Sequence, residues 1–194
     1  SGAAYTVMRS DLATLSKSPR DLYKAQTLTD KTLSDVAAMQ VNDLQFTQTD
    51  GSWTLTDDPD YPVSQSSIKK MASTILQMQT AWTVTAPEAD TAYGLDSPDV
   101  TAVLTFTDGT SLTVRFGNAV AAAADGSDGD SLCYLASDAA PTVVYEVNAD
   151  SKLAYAVTKE SLYEETATAE TAASDPVAQY PVGGEDDYAD SLPE

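Results

Sequence analysis

Ser66-x-x-Lys69 and Ser67-x-x-Lys70 each set a hydroxyl one helical turn from an amine, the spacing by which serine–lysine acylating enzymes join a nucleophile to its base. The companion Ser-Asp-Asn and Lys-Thr-Gly motifs of those enzymes are absent. The same residues also suit the first turn of a capped, solvated helix, which is the reading preferred here. Histidine is missing from all 194 residues, so Ser-His-Asp and Cys-His pairs and most catalytic zinc sites are excluded. Thirty acidic side chains remain. Hydrolysis of a glycan by two carboxylates depends on their separation in space, which spacing along a chain does not supply. The expectation is therefore a protein that binds rather than catalyses, with a carboxylate-dependent, glycan-directed hydrolase as the alternative and no cofactor implied.

Two clusters offer binding chemistry. Asp125-Gly126-Ser127-Asp128-Gly129-Asp130 supplies oxygen ligands at short spacing, with glycines that permit a tight turn, so Asp125, Asp128 and Asp130 are the candidate metal ligands. The glutamate that closes an EF-hand loop is replaced by Ala136 at the twelfth position, which favours a solvated hairpin tip over calcium-dependent assembly. Tyr61, beside Asp57, Asp58 and Asp60, is the aromatic most suited to a sugar-like or protein partner; Tyr61, Asp57 and Asp60 are the candidate binding residues. Glycines 117, 126 and 129 do not make a phosphate loop, since no Gly-Lys-Ser/Thr follows.

Charge narrows the partners. Ten cations against thirty acids give a formal −20, which repels nucleic acid and anionic membrane surfaces. Five of those cations (Arg9, Lys17, Arg20, Lys24, Lys31) fall in the first 31 residues, so the remainder is more acidic still. The lone Cys133 lies in the strand-like run Leu132–Leu135, where a thiol serves as a small buried hydrophobe.

The elements that must position these residues form an α+β pattern: an antiparallel sheet of hairpins with one main amphipathic helix and short helices packed on it. Leu44–Leu55 alternates and turns at Asp50-Gly51, a two-residue loop that sets Phe46 opposite Leu55 and Gln48 opposite Trp53. At Asp108-Gly109 that register would mismatch the apolar faces. A three-residue loop with Gly109 left-handed instead pairs Leu104 with Leu112 and Ala102 with Val114. A third pair joins Leu132–Ala136 to Val143–Val147 across Ala140-Pro141. Ile68, Met71, Ala72, Ile75, Leu76 and Gln79 share one face of a helix predicted over about 64–79, capped by Ser64.

Asp50-Gly51-Ser52-Trp53-Thr54-Leu55, Tyr93-Gly94-Leu95-Asp96-Ser97-Pro98, Phe116-Gly117 and Val143-Val144-Tyr145-x-Val147 occur in this order along the chain. Together they resemble a bacterial family of envelope proteins of unknown function, family 4340, many of them lipoprotein-like or membrane-anchored. The likeness covers about residues 33–165. It implies an extracytoplasmic location at the cell envelope, with any membrane contact through an anchor outside this chain; the expected partner is a protein or cell-wall polymer, bound through the open face or edges of the sheet. It carries no catalytic residue. Read physically, the motif residues Tyr93, Gly94, Leu95 and Pro98 are structural: glycine for a tight turn, proline to fix entry to the next strand, Tyr93 and Leu95 to pack.

A shift of 140 residues sets Tyr5-x-Val7 over Tyr145-x-Val147 and Leu22-Tyr23 over Leu162-Tyr163, with Ser18-Pro19 opposite Thr158-Lys159. On this reading residues 1–32 close a preceding repeat unit, 33–165 form the main domain, and 166–194 are an acidic Ala/Thr/Pro-rich tail or linker.

Overall fold

Hairpins account for most of the architecture, because the alternation of apolar and polar residues gives each strand one face to bury. The computed structural model describes residues 17–121 and 131–164. It contains β1 (Val36–Val41), β2 (Leu44–Thr49), β3 (Ser52–Leu55), α1 (Gln65–Leu76), β4 (Thr80–Val84), β5 (Val100–Phe106), β6 (Ser111–Ala119), β7 (Leu132–Ser137), β8 (Val144–Asn148) and the short α2 (Asp150–Leu153). All eight strands join one antiparallel sheet in the order β3-β2-β1-β5-β6-β7-β8-β4, giving an α+β fold.

The predicted registers are present. Phe46 pairs with Leu55 and Gln48 with Trp53, while Leu104 pairs with Leu112 and Ala102 with Val114. Gly109 takes the left-handed φ of +83° that the bulged turn demands. β7 and β8 pair through Leu132–Ala136. β1 and β4 lie outside the predicted hairpin pairs, and each finds a partner distant in sequence: β1 pairs with β5, and β4 crosses to the far edge to pair with β8.

Helix α1 lies on one face of the sheet through Ile68, Met71, Ala72, Ile75 and Leu76, all buried, and the Ser64 side chain caps it by accepting from the Ser67 N–H. Its end needs correction. The helix stops at Leu76, and Gln79 leaves the predicted stripe to bridge Thr27. The reason is the entry to β4: Gln77 leaves helical geometry, and the Met78 N–H tightens onto the Ile75 carbonyl so that the chain can turn. The core beneath α1 draws on Met39, Phe46, Trp53, Leu55, Leu104, Phe116 and Leu135 from the inner sheet face. Tyr155 closes one end, donating its hydroxyl to the Met71 carbonyl at 2.9 Å. Burial pushes that phenol well above its usual pKa.

Both sheet edges are occupied. On the β3 side the Gln65 carboxamide accepts from the Trp53 N–H (2.8 Å) and donates to the Trp53 carbonyl (2.7 Å). On the β4 side residues 20–27 wrap the edge, with the Thr80 N–H donating to the Gln26 carbonyl and Thr27 bridging Gln79.

Candidate functional site

The sheet face opposite α1 is built by the strand residues that alternate with the core. The registers align Thr54, Thr47, Ala38, Thr105 and Ser111 in one row across β3-β2-β1-β5-β6. A second row runs Gln45, Gln40, Val103, Thr113, and Thr101 stands opposite Arg115. These side chains are half-buried or exposed. Apart from Arg115 they carry no charge, in a chain whose formal total is −20. Hydroxyls and carboxamides both donate and accept, so such a face complements neutral polar groups rather than ions.

Two hollows indent this face. The smaller, about 190 Å³, lies over Ala38, Gln40, Gln45, Thr47, Val103 and Thr105. The larger, about 490 Å³, lies between Pro87–Asp90, Thr113–Arg115 and the Ser137–Val144 turn. Val103 of the first stands directly across from Thr113 of the second, so the two adjoin on neighbouring strands.

Three of the charges at the larger hollow are engaged. The Arg115 guanidinium reaches Asp90 Oδ2 at 3.0 Å and the Leu95 carbonyl at 2.5 Å. Asp138 Oδ1 accepts from the Thr113 N–H at 2.9 Å. Asp90 is thus tied to a guanidinium and Asp138 to a backbone N–H.

The Tyr93–Pro98 segment holds Arg115 in place. Gly94 adopts φ +68°, and a Cβ there would lie 2.5 Å from the Asn118 carboxamide. At Gly117 a Cβ would drive into the Tyr93 carbonyl, which accepts from the Asn118 N–H at 2.8 Å. The two glycines thus let the segment cross the end of β6 backbone against backbone. Leu95 and Tyr93 then bury with Ala136 and Val144 in a second apolar cluster, where Tyr93 meets Tyr134 edge to face at 4.8 Å. Pro98 is half-buried, two residues before β5.

Beyond that cluster, Arg20 bonds both oxygens of Glu146 at 2.7 and 2.8 Å and stacks 5.0 Å from the Trp82 ring centre. Glu146 is 4% exposed. The hydrogen bond to Glu146 raises the Arg20 pKa against a smaller opposing effect of burial. Burial raises the Tyr134 phenol pKa too, helped by the Glu146 charge.

The other sequence candidates lie elsewhere. Tyr61 is half-buried and donates its hydroxyl to the Lys159 carbonyl at 3.0 Å. The Lys159 ammonium sits 4.7 Å over its ring and 2.7 Å from Asp58, whose hydrogen bond raises the lysine pKa. Tyr61 thus helps close the domain, with Asp57 and Asp60 exposed beside it. Lys69 and Lys70 point to solvent, and Ser66 Oγ lies 3.0 Å from Ser64 Oγ in the capping turn. Among the described residues no group of three or more Cys, Asp or Glu is placed to hold a metal. Asp125, Asp128 and Asp130 lie outside the described residues. No described helix is long and apolar enough to cross a membrane.

Sequence reading missed Arg115 and Glu146. The available signal was a charge inside an apolar strand: Glu146 sits between Tyr145 and Val147, where a carboxylate needs a cation.

The fold and site define a class: an antiparallel α+β domain with one sheet face sealed by a helix and part of the other left open and uncharged. Residues 53–173, more than half of the chain, match the family described as Domain of unknown function (DUF4340), and the chain belongs to that family. No curated protein and no solved structure matches it.

Proposed function

We propose that this protein is a non-enzymatic, extracytoplasmic binding module of the bacterial cell envelope, and that it takes a neutral, amide- and hydroxyl-bearing wall glycan on the open face of its sheet. The observation that carries this reading is the run of Thr, Gln and Ser side chains across β3-β2-β1-β5-β6, free of charge except at Arg115. In a −20 chain, rows across β3-β2-β1-β5-β6 that hold no carboxylate, with Glu88, Asp90 and Asp138 set apart at the larger hollow, lack the groups that would hold cations and leave donors and acceptors for an uncharged polymer. The edges are poor alternatives, since Gln65 and residues 26–27 already use their backbone groups. The envelope location rests on the family resemblance of the Tyr93–Pro98 and Asp50–Leu55 motifs.

The test is titration of the purified chain with N-acetylglucosamine oligomers, followed by amide chemical shifts. Shifts confined to Gln40, Gln45, Thr47, Val103, Thr105 and Thr113 are expected. Thr47→Glu and Thr105→Glu should abolish them at unchanged melting temperature. Release of shortened oligomers during the titration would favour the carboxylate-dependent hydrolase instead, and shifts clustered away from this face would end the proposal.

A further inference from the structure

The turns Ser18–Tyr23 and Thr158–Tyr163, related by the 140-residue shift, have the same construction. The Asp21 N–H donates to Ser18 Oγ at 3.3 Å and the Ser161 N–H to Thr158 Oγ1 at 3.2 Å. In return the Ser18 N–H donates to Asp21 Oδ2 at 2.8 Å, and the Thr158 N–H to Ser161 Oγ at 2.9 Å. Each turn is one 3-10 helix, Arg20–Leu22 or Glu160–Leu162, preceded by a helical Pro19 (φ −53°, ψ −32°) or Lys159 (−54°, −43°). Each ends on an extended tyrosine, Tyr23 (−67°, 134°) or Tyr163 (−63°, 129°).

Their burial is complementary. Leu162 is 1% exposed: its carbonyl accepts from the Ser64 N–H at 2.7 Å, and Tyr163 bridges Val63. Leu22, the matching residue, is 69% exposed. The tyrosines reverse this. Tyr23 docks on β4, its hydroxyl 2.7 Å from both Thr80 Oγ1 and Thr83 Oγ1 and its ring 5.2 Å from Trp82. Tyr163 is 55% exposed. One copy buries its leucine and the other seats its tyrosine, while Leu22 and Tyr163, the latter meeting Tyr61 edge-on at 5.8 Å, are among the exposed large apolar side chains of the described residues.

We infer that this turn is a two-sided joint between consecutive units of the same fold on one polypeptide: its leucine closes the unit it ends, and its tyrosine seats on β4 of the unit that follows. The partner of Leu22 is then a preceding unit with a slot like the one at Pro62–Ser64. A second copy of this chain cannot serve, because its own Leu162 fills that slot. Arg20, held by Glu146, fixes the orientation of the two units.

The test is thiol labelling of Leu22→Cys with a maleimide, in the 194-residue chain and in the full polypeptide encoded with it; Cys133 is buried and gives a low background. Rapid labelling is expected in the short chain and labelling at least tenfold slower in the full one. Leu22→Asp, as a second variant, should leave the melting temperature of the short chain unchanged and lower that of the full polypeptide. Equal labelling rates in both chains, a full polypeptide with no folded unit before residue 17, or protection in the short chain that grows with its concentration would each overturn the joint.

Discussion

The carboxamide of Gln65 acts as a missing strand for Trp53, taking its backbone N–H at 2.8 Å and capping its carbonyl at 2.7 Å. An edge strand with unpaired backbone groups is a template for association with other chains, and here one side chain from the first turn of α1 covers it. Gln65→Ala removes both bonds and should cost about 1–3 kcal/mol. Urea denaturation measures that loss. Size-exclusion chromatography at rising concentration should show self-association in the variant and a monomeric profile in the parent.

Gly117 and Gly109 separate two ways in which a glycine is required. A Cβ at Gly109 meets nothing within 4 Å, so Gly109→Ala bears only the left-handed backbone cost, about 1 kcal/mol. At Gly117 the Cβ collides with the Tyr93 carbonyl, which neither backbone can yield without opening the second apolar cluster. Gly117→Ala should lose about 2–4 kcal/mol and disturb the Tyr93 and Tyr134 ring signals in NMR spectra.

Arg20 and Glu146 are unequal partners, the first half-exposed and the second almost sealed. Arg20→Ala leaves a buried carboxylate unpaired and should destabilise by about 1–2 kcal/mol, less than a fully buried pair because water screens the arginine side. Glu146→Gln on the Arg20→Ala background should recover at least half of that loss. An additive double variant would mean that the stacking of Arg20 on Trp82, and not the charge, holds the strap.

Lys31 holds the Asp108 carboxyl well below the usual carboxylate range, with Thr110 adding two further hydrogen bonds. The Thr32 backbone does the same for Asp35, again with the pKa lowered. A folded pKa below the unfolded value means that the contribution is complete above the unfolded pKa, about 3.9, and is lost as pH falls through the folded one. The stability difference between the parent and Asp108→Asn should therefore be constant from about pH 5 to 7 and shrink on acidification below about pH 4. Thermal melts across that range check the sign.

Local signals were legible in the chain where one principle governs one segment. Asp50-Gly51 fixes a register by turn geometry, Gly109 by the mismatch that any other loop would create, and Ser64 starts α1 because its hydroxyl suits a free N–H. β4 was not legible, since its strand partner β8 lies far along the chain and no hairpin turn announces it; β1 was missed although the two-residue Asn42-Asp43 turn joins it to β2, and its other partner, β5, lies far along the chain. The open face was hidden in plain alternation: Thr47 or Gln40 alone reads as an ordinary outward residue. Only the order β3-β2-β1-β5-β6 lines them up. Tyr61 drew attention through its acidic neighbours, yet a sequence cannot reveal that Lys159, a distant cation, would cover its ring.

The far-edge position of β4 has a consequence for the nascent chain. Emerging from the ribosome just after α1, β4 has no strand to pair with until β8 has been synthesised, and only residues 20–27 to lie against, whereas the β2–β3 and β5–β6 hairpins can form as they appear. Helix α1 must wait with its Ile/Met stripe uncovered over part of the unfinished sheet. The slowest and most aggregation-prone interval in the life of this protein should therefore fall late in translation, while β7 and β8 are still inside the exit tunnel.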